Sequence, residues 1–267
     1  MLNNYFDGKE LYGDNFDQQA IKNWFDHEAE AYANLSVNNP IVEAKDKSYT
    51  YHVLNEFLGF DHIQLKDNLS ALGIGAAYGA EFIPIKKHLK EIHILEPSDQ
   101  LIAEKLDDIP LIYSKPDISG KMPYQDNQFD VITCFGTLHH IPNVSFVVSE
   151  LARVLKPGGY LLIREPIISM GDWNQPRKGL TKFERGIPLP LFRNMFKNSK
   201  LKIVKESPCF TLLFVFQRIL KRQLHESKMY LNLDRILSKL FLPNYTYHAT
   251  SKLKRIAPTN VFYILSK

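Results

Sequence analysis

The sequence predicts an α/β fold built on a doubly wound, mostly parallel sheet. Three observations carry this. Short apolar runs of strand length recur between Leu69 and Pro166 and alternate with segments of helical spacing. The first run leads straight into a glycine loop, "GIGAAYG" (Gly73 to Gly79), where the chain must turn from strand to helix. Hydrophobic residues make up 45% of the 267 residues and aromatics 12%, which supports a sizeable core and excludes the disordered and fibrous classes.

The elements follow in order. "DNFDQQAIKNWFDHEAEAYANL" predicts an amphipathic helix with Ile21, Trp24, Phe25, Ala29 and Tyr32 on one face, and "YTYHVLNEFLGF" a second helix ending near Gly59. "LSALGI" is a buried strand, "GAEFIPIKKHL" a helix, "EIHILEP" the next strand, and "SDQLIAEKL" a helix capped by Ser98. "IPLIYS" and "FDVITCF" are strands three and four. "PNVSFVVSELARVL" is a helix opening at Pro142 and Asn143, and "YLLIREP" is the fifth strand after a "KPGG" turn. Such alternation implies parallel pairing through right-handed crossovers.

From residue 166 to 190 the pattern breaks into a long connection rich in Pro, Gly and charge, of the kind that forms lids and binding loops. "LKIVKES" and "NVFYILSK" predict two last strands, with helical sequence "FTLLFVFQRILKRQL" and "LNLDRILSKLFL" between them. The expected organisation is a helical cap over 1–62 and a core over 63–267, with a substrate loop at 166–200 and a helical insertion at 208–245.

Two widely separated cysteines, Cys134 and Cys209, make no disulfide framework, so a reducing cytoplasm is expected. The start, "MLNNYFDGKE", has no signal-peptide pattern, and no apolar run is long enough to span a bilayer. The net charge of +4 is uneven: Lys200 to Lys267 holds 13 Lys/Arg against 3 Asp/Glu, or +10, leaving −6 for the rest. Besides a solvated surface, such a skew suits a phosphate-bearing substrate or a membrane surface. Without interleaved aromatics it does not suit nucleic acid.

In an open α/β sheet, ligands sit beyond the carboxyl ends of the strands. The spacing Gly73-x-Gly75-x-x-x-Gly79 is not the standard dinucleotide fingerprint. Glu96, ending the second strand, is placed to accept hydrogen bonds from a ribose diol. That fits an adenosine ligand, whether NAD or an adenosyl cofactor.

"MPYQDNQFDVITCFGTLHHIPN" and "LARVLKPGGYLLIREP", spaced as they are after "LGIGAAYGAE" and "ILEPS", resemble class I S-adenosylmethionine-dependent methyltransferases, within the broad group that has a methyltransferase domain 11 core. The likeness covers Leu69 to Pro166. It implies a Rossmann-like, seven-stranded sheet with helices on both faces and S-adenosyl-L-methionine as cofactor. By position, Gly73, Gly75 and Ala77 match the loop under the methionyl part of the cofactor. Glu96 matches the ribose acid, flanked by Pro97 and Ser98. Asp117, with Ile118 beside it, matches the acid facing the adenine. Phe135 and Gly136 match the backbone along the methionine amine and the methyl donor. One departure stands out: loops of this group begin with Asp or Glu, and here that position is Ala71. Glu28, on the amino-terminal helix, is a candidate substitute.

A hydroxyl acceptor benefits from a general base. His139 and His140 follow the fourth strand, and His139 is the first choice. Glu165, after the fifth strand, is the second candidate, for base or for hydroxyl binding. The long loop offers Asp172, Trp173, Arg177, Lys178, Lys182, Glu184 and Arg185, a set suited to a sugar and a phosphate. Of these, Asp172, Trp173, Arg177 and Arg185 are the expected substrate ligands. The loop is similar to those of methyltransferases from bacterial surface-polysaccharide gene sets. No metal is expected. In "FTLLFVFQRILKRQL", Leu212, Leu213, Phe216, Ile219 and Leu220 share a face. That face suits core packing, a second subunit or an anionic membrane.

The leading expectation is methyl transfer to an oxygen or nitrogen of a small-molecule or glycan acceptor, such as a sugar nucleotide or surface-polysaccharide precursor. The expected enzyme is a cytoplasmic monomer or homodimer, with contact at the inner membrane face as an option. The alternatives are carbon methylation of a quinone or polyprenyl lipid, and an adenosyl-binding protein without turnover.

Overall fold

The computed structural model describes residues 3–38, 49–173, 175, 177 and 179–267. The side chains of Ala29 and Tyr32, and Lys178 of the loop, lie outside the described residues. Eight strands form one sheet: β1 (Leu69–Ile74), β2 (Leu89–Leu95), β3 (Lys105–Leu106), β4 (Ile109–Ser114), β5 (Phe129–Phe135), β6 (Leu155–Pro166), β7 (Lys202–Cys209) and β8 (Asn260–Ser266). Their order is β3-β4-β2-β1-β5-β6-β8-β7. β4, β2, β1, β5 and β6 run parallel, while β3, β7 and β8 pair antiparallel. The sheet has one strand more than expected, the two-residue edge strand β3.

β3 replaces the helix expected from "SDQLIAEKL". Leu106 is buried, but Ile102, four residues earlier and on the same face of a helix, is exposed, so the segment buries no helical face. The Ala103 N–H donates to the Tyr113 hydroxyl and the Leu111 N–H to the Glu104 carbonyl, which draws the segment along the sheet edge. "AEFIPIKKH" (Ala80–His88) is a 3-10 helix with Pro84 inside it, not an α-helix. Proline lacks the N–H that an α-helical interior needs. The "KPGG" turn is a bulge within β6, where Gly158 has φ +77° and the register against β5 shifts.

Among the described residues, besides a four-residue turn of helix at Asn3–Phe6, six α-helices flank the sheet: α1 (Gln18–Asn38), α2 (His52–Leu58), α3 (Val144–Val154), α4 (Leu189–Asn198), α5 (Leu213–Leu220) and α6 (Lys228–Phe241). On one face Leu72, Ile132 and Ile163 pack with Val148 and Leu151 of α3 and Phe192 and Phe196 of α4. On the other, Ala71, Ile94 and Phe262 pack with Leu54 and Leu58 of α2, Phe82, and Leu231 of α6. β1 is buried along its whole length, as a central parallel strand must be. Trp24 of α1 is buried and donates its indole N–H to the His140 carbonyl (2.7 Å), so the amino-terminal helix is tied to the carboxyl edge of the sheet. Among the described residues, no helix is long and apolar enough to cross a membrane.

Candidate active site

The glycine loop closes on itself and on its neighbours. Gly75 has φ +62°, and its N–H donates to the Leu95 carbonyl (2.9 Å). A Cβ there would lie 2.9 Å from Thr137 Oγ1, and one on Gly73 would lie 2.5 Å from the Ala76 Cβ. Both positions need glycine. Thr137 Oγ1 donates to the Ile74 carbonyl (2.9 Å), which joins the loop after β1 to the loop after β5.

Glu96 is buried at the carboxyl end of β2. It accepts from the Ser98 N–H (3.0 Å) and the Ala77 N–H (3.3 Å), and Ala77 itself has φ +45°. Burial pushes its carboxyl pKa up, opposed by these N–H bonds and Lys115. Gly73, Gly75, Ala77 and Glu96 thus form one cradle. Pro97 adds a carbonyl that accepts from Lys115 Nζ (3.0 Å). Asp117 is different. It is exposed, and its carboxylate accepts from the Ser119 N–H (2.8 Å) and hydroxyl (2.5 Å), with Ile118 exposed beside it. Phe135 is buried, and Gly136 (φ +73°) opens onto space: the nearest atom to a Cβ there is His139 Cε1 at 3.8 Å.

These features fit S-adenosylmethionine. The glycines let a ligand approach the backbone, a buried carboxylate can meet a diol, and open space lies before Gly136 next to the histidines.

The acid missing at Ala71 has a neighbour that the sequence reading passed over. In register, Gly73 pairs with Thr133, so Ala71, Gly73 and Thr133 share one face of the sheet. The Thr133 hydroxyl donates to the buried Glu81 carboxylate, which comes from the 3-10 helix after the loop. Burial raises the Glu81 pKa to about 7, against the Thr133 bond and Arg164. Glu81 supplies an acid on the face that Ala71 leaves without one. Its sequence signal is an acid two residues past Gly79. Glu28, the candidate proposed from the sequence, is placed elsewhere: it meets His140 Nδ1 (2.9 Å) and the Thr181 hydroxyl (2.6 Å).

Glu165 is fully buried. One carboxylate oxygen accepts from the Thr137 and Leu138 N–H groups, both at 2.7 Å, and the other meets His139 Nδ1 at 2.7 Å. It organises the turn that presents the histidines, with both carboxylate oxygens already bonded to the protein. His139 Nε2 lies 3.4 Å from Glu184 Oε1. Burial works against a charged ring, but Glu165 and Glu184 outweigh it and raise the His139 pKa to about 9. His139, His140 and Glu184 place one ligand atom each within 4.8 Å of one another. Each imidazole already faces a carboxylate, so the cluster is a closed charge network.

The loop residues also take other roles than expected. Arg185 is fully buried and donates to the carbonyls of Tyr12, Leu138, His139, Ile141 and Pro142. Burial lowers its pKa to about 10. Arg177 donates to the carbonyls of Met170, Thr181, Lys182 and Glu184. Trp173 stacks on Phe6 and Tyr12 and donates to the Ser169 carbonyl (2.9 Å). Arg177 holds the loop's own backbone, and Arg185 ties the loop to the histidine turn and the amino-terminal segment, so both guanidiniums are already engaged. Asp172 is exposed.

Next to Gly136 and His139 lies a 330 Å³ cleft walled by Tyr51, Met170, Phe210 and Phe214, with Arg164 beneath. The Arg164 guanidinium is 4.1 Å from the Tyr51 ring centroid and donates to Asn55 Oδ1 (3.0 Å).

Comparison with known proteins agrees with this geometry. Residues 72–163 match the family model described as "Methyltransferase domain". Over 124 residues the chain is 27% identical to the sterol 4-C-methyltransferase strm-1 of Caenorhabditis elegans, covering 44% of this chain and 37% of that protein. Over 130 residues it is 29% identical to the demethylmenaquinone methyltransferase of Bacillus mycoides (strain KBAB4), covering 47% of each. The chain thus spans less than half the length of these curated relatives. The S-adenosylmethionine-dependent methyltransferase of Mesorhizobium loti shares the fold, with a TM-score of 0.52 at 14% identity over 78% of this chain and 95% of that one. The motif, the cradle and the sheet order agree, and the chain carries a class I S-adenosylmethionine-dependent methyltransferase domain.

Proposed function

We propose that the protein transfers a methyl group from S-adenosylmethionine to an oxygen or carbon of an apolar acceptor bearing an acidic hydroxyl. A lipid-borne quinol or phenol is the class that fits best. The observation that carries this reading is the cleft. Its aromatic and thioether walls surround a buried cation, Arg164, with His139 beside it. Apolar walls take the body of such a molecule, and the guanidinium steadies its ionised hydroxyl.

The bound cofactor supplies a methyl group on a sulfonium, so alignment matters more than proton transfer. Arg164 favours the acceptor as its anion, which replaces the base that a neutral hydroxyl would need. Glu165 fixes the His139 ring, and Gly136 leaves the passage between cradle and cleft open. The relatives' names, sterol and demethylmenaquinone methyltransferases, support an apolar acceptor. A lipid acceptor also goes with contact at the inner membrane face. A glycan acceptor has less support, because Arg177 is bonded to carbonyls of the loop and Arg185 to carbonyls of Tyr12 and the histidine turn. Ala71 favours a second reading, an adenosyl-binding protein without turnover.

The test is calorimetric titration with S-adenosylmethionine, S-adenosylhomocysteine and NAD, followed by methyl-transfer assays. The acceptors would be a demethylmenaquinol analogue, a simple phenol and a nucleotide sugar. Adenosyl binding with transfer to the quinol or phenol is expected. Transfer to the nucleotide sugar alone would overturn the acceptor class, and binding without any transfer would leave the second reading.

A further inference from the structure

α6 turns Tyr230, Leu231, Asp234 and Ser238 inward, yet its outward side is not polar. Met229, Leu233, Ile236 and Leu240, spaced four, three and four residues apart, form one exposed stripe along it, with Met229 83% exposed. α5 does the same with Phe214, Val215 and Ile219, and the two helices touch through Phe216 and Tyr230. A water-facing helix ordinarily carries its polar residues there. Around the apolar residues stand Arg218, Lys221, Arg222, Lys228, Arg235 and Lys239, none of them ion-paired to a carboxylate among the described residues. Burial, and after it Arg235, bring the pKa of nearby Lys205 down to about 8; Asp61 opposes them and Lys239 adds a smaller push.

We propose that the outward faces of α5 and α6 dock on the surface of an anionic lipid bilayer. Apolar side chains enter the acyl boundary while flanking lysines and arginines reach the headgroups. A second copy of this chain is the poorer occupant, because a two-fold contact would set this basic surface against itself. Phe214 links the face to the site: it is exposed on α5 and also walls the cleft, so the cleft opens beside the docking face. The docking itself is independent of the acceptor assignment. Only its use to admit a lipid acceptor rests on the function proposed above.

The test is co-sedimentation of the full chain with vesicles of phosphatidylglycerol and phosphatidylcholine, and with vesicles of phosphatidylcholine alone. Binding is expected to the first only, weakening as salt rises. Ile236→Gln with Leu240→Gln, both at exposed positions, is expected to lower it at least tenfold, and Arg235→Gln with Lys239→Gln at least fivefold. Adenosylmethionine affinity and thermal unfolding should stay unchanged in both. No binding to the anionic vesicles, or equal binding by the variants, overturns the proposal. So does a stable dimer in sedimentation velocity that dissociates in the Ile236/Leu240 variant, which would make the stripe a protein interface. Methyl transfer to a water-soluble phenol, measured in the same variants, separates a failure of docking from a failure of the acceptor assignment.

Discussion

His139 Nδ1 lies 2.7 Å from the Glu165 carboxylate, and that carboxylate also receives two backbone N–H groups of the histidine turn. One buried acid therefore sets both the charge of the ring and the shape of the backbone that carries it. Glu165→Gln keeps the size but loses the charge. It is expected to lower thermal stability by about 1–3 kcal/mol, the cost of weakening buried charge-assisted bonds. Methyl transfer should fall at least tenfold with little change in adenosylmethionine affinity. Unfolding curves and calorimetry on the same variant check this; full activity would show that the turn holds without the acid.

The His139 pKa, raised to about 9 from 6.5, makes stability depend on pH. The folded state holds the proton more tightly than the unfolded one. The contribution is therefore fully present below pH 6.5 and is lost as pH rises through 9. It amounts to roughly 3 kcal/mol. Denaturant unfolding from pH 6 to pH 9.5 should show the decline, and His139→Gln should flatten it.

Glu81 has the opposite consequence. Its folded pKa of about 7 lies above the ordinary 4.5, so the unfolded state releases its proton first and stability falls as pH rises from 4.5 to 7. Glu81→Gln is expected to stabilise the protein at pH 8 by on the order of 2 kcal/mol and to change little near pH 5. If Glu81 stands in for the acid absent at Ala71, the same variant binds adenosylmethionine several-fold more weakly. Unchanged affinity would leave Glu81 a purely structural acid.

Glu96→Ala removes the carboxylate that ties Ala77 and Ser98 together and that is placed to meet a ribose. Affinity for adenosylmethionine is expected to fall at least tenfold. Titration calorimetry decides, and unaltered binding would exclude Glu96 as a ligand.

Arg164→Gln should raise the acceptor KM about tenfold and leave cofactor affinity unchanged, since Arg164 lies under the cleft. Arg185→Ala should act differently. It removes a charged donor from five carbonyls, three of them bonded to it at 3.0 Å or less. A loss of about 3 kcal/mol or more in stability is expected, with no selective effect on the acceptor. A KM effect without destabilisation would restore Arg185 as a substrate ligand.

The parallel core was legible because buried strands leave continuous apolar runs, and "LSALGI" is buried at every position. The glycine positions were legible for a related reason: a positive φ and a close approach leave few other choices at Gly75. The edge at β3 was not legible. Its fate depends on the Tyr113 hydroxyl and the Leu111 N–H, and the segment's own pattern does not record those partners. The loop arginines were misread for the same reason. A guanidinium bonded to distant carbonyls and one awaiting a phosphate look alike in sequence. Glu81 was missed because an acid just past a glycine loop reads as solvent-exposed until Thr133, 52 positions away, is brought beside it.

Arg185 has one more consequence, for traffic. Its guanidinium reaches the Tyr12 carbonyl in the amino-terminal segment as well as carbonyls of the histidine turn, while Arg177 clamps the preceding stretch. Swinging this loop outward would strand a buried cation and several carbonyls at once. A segment of lid length is thus anchored through two guanidiniums, and opening it would carry the cost of all those bonds together. The cleft's exposed apolar side is at Phe214, on α5.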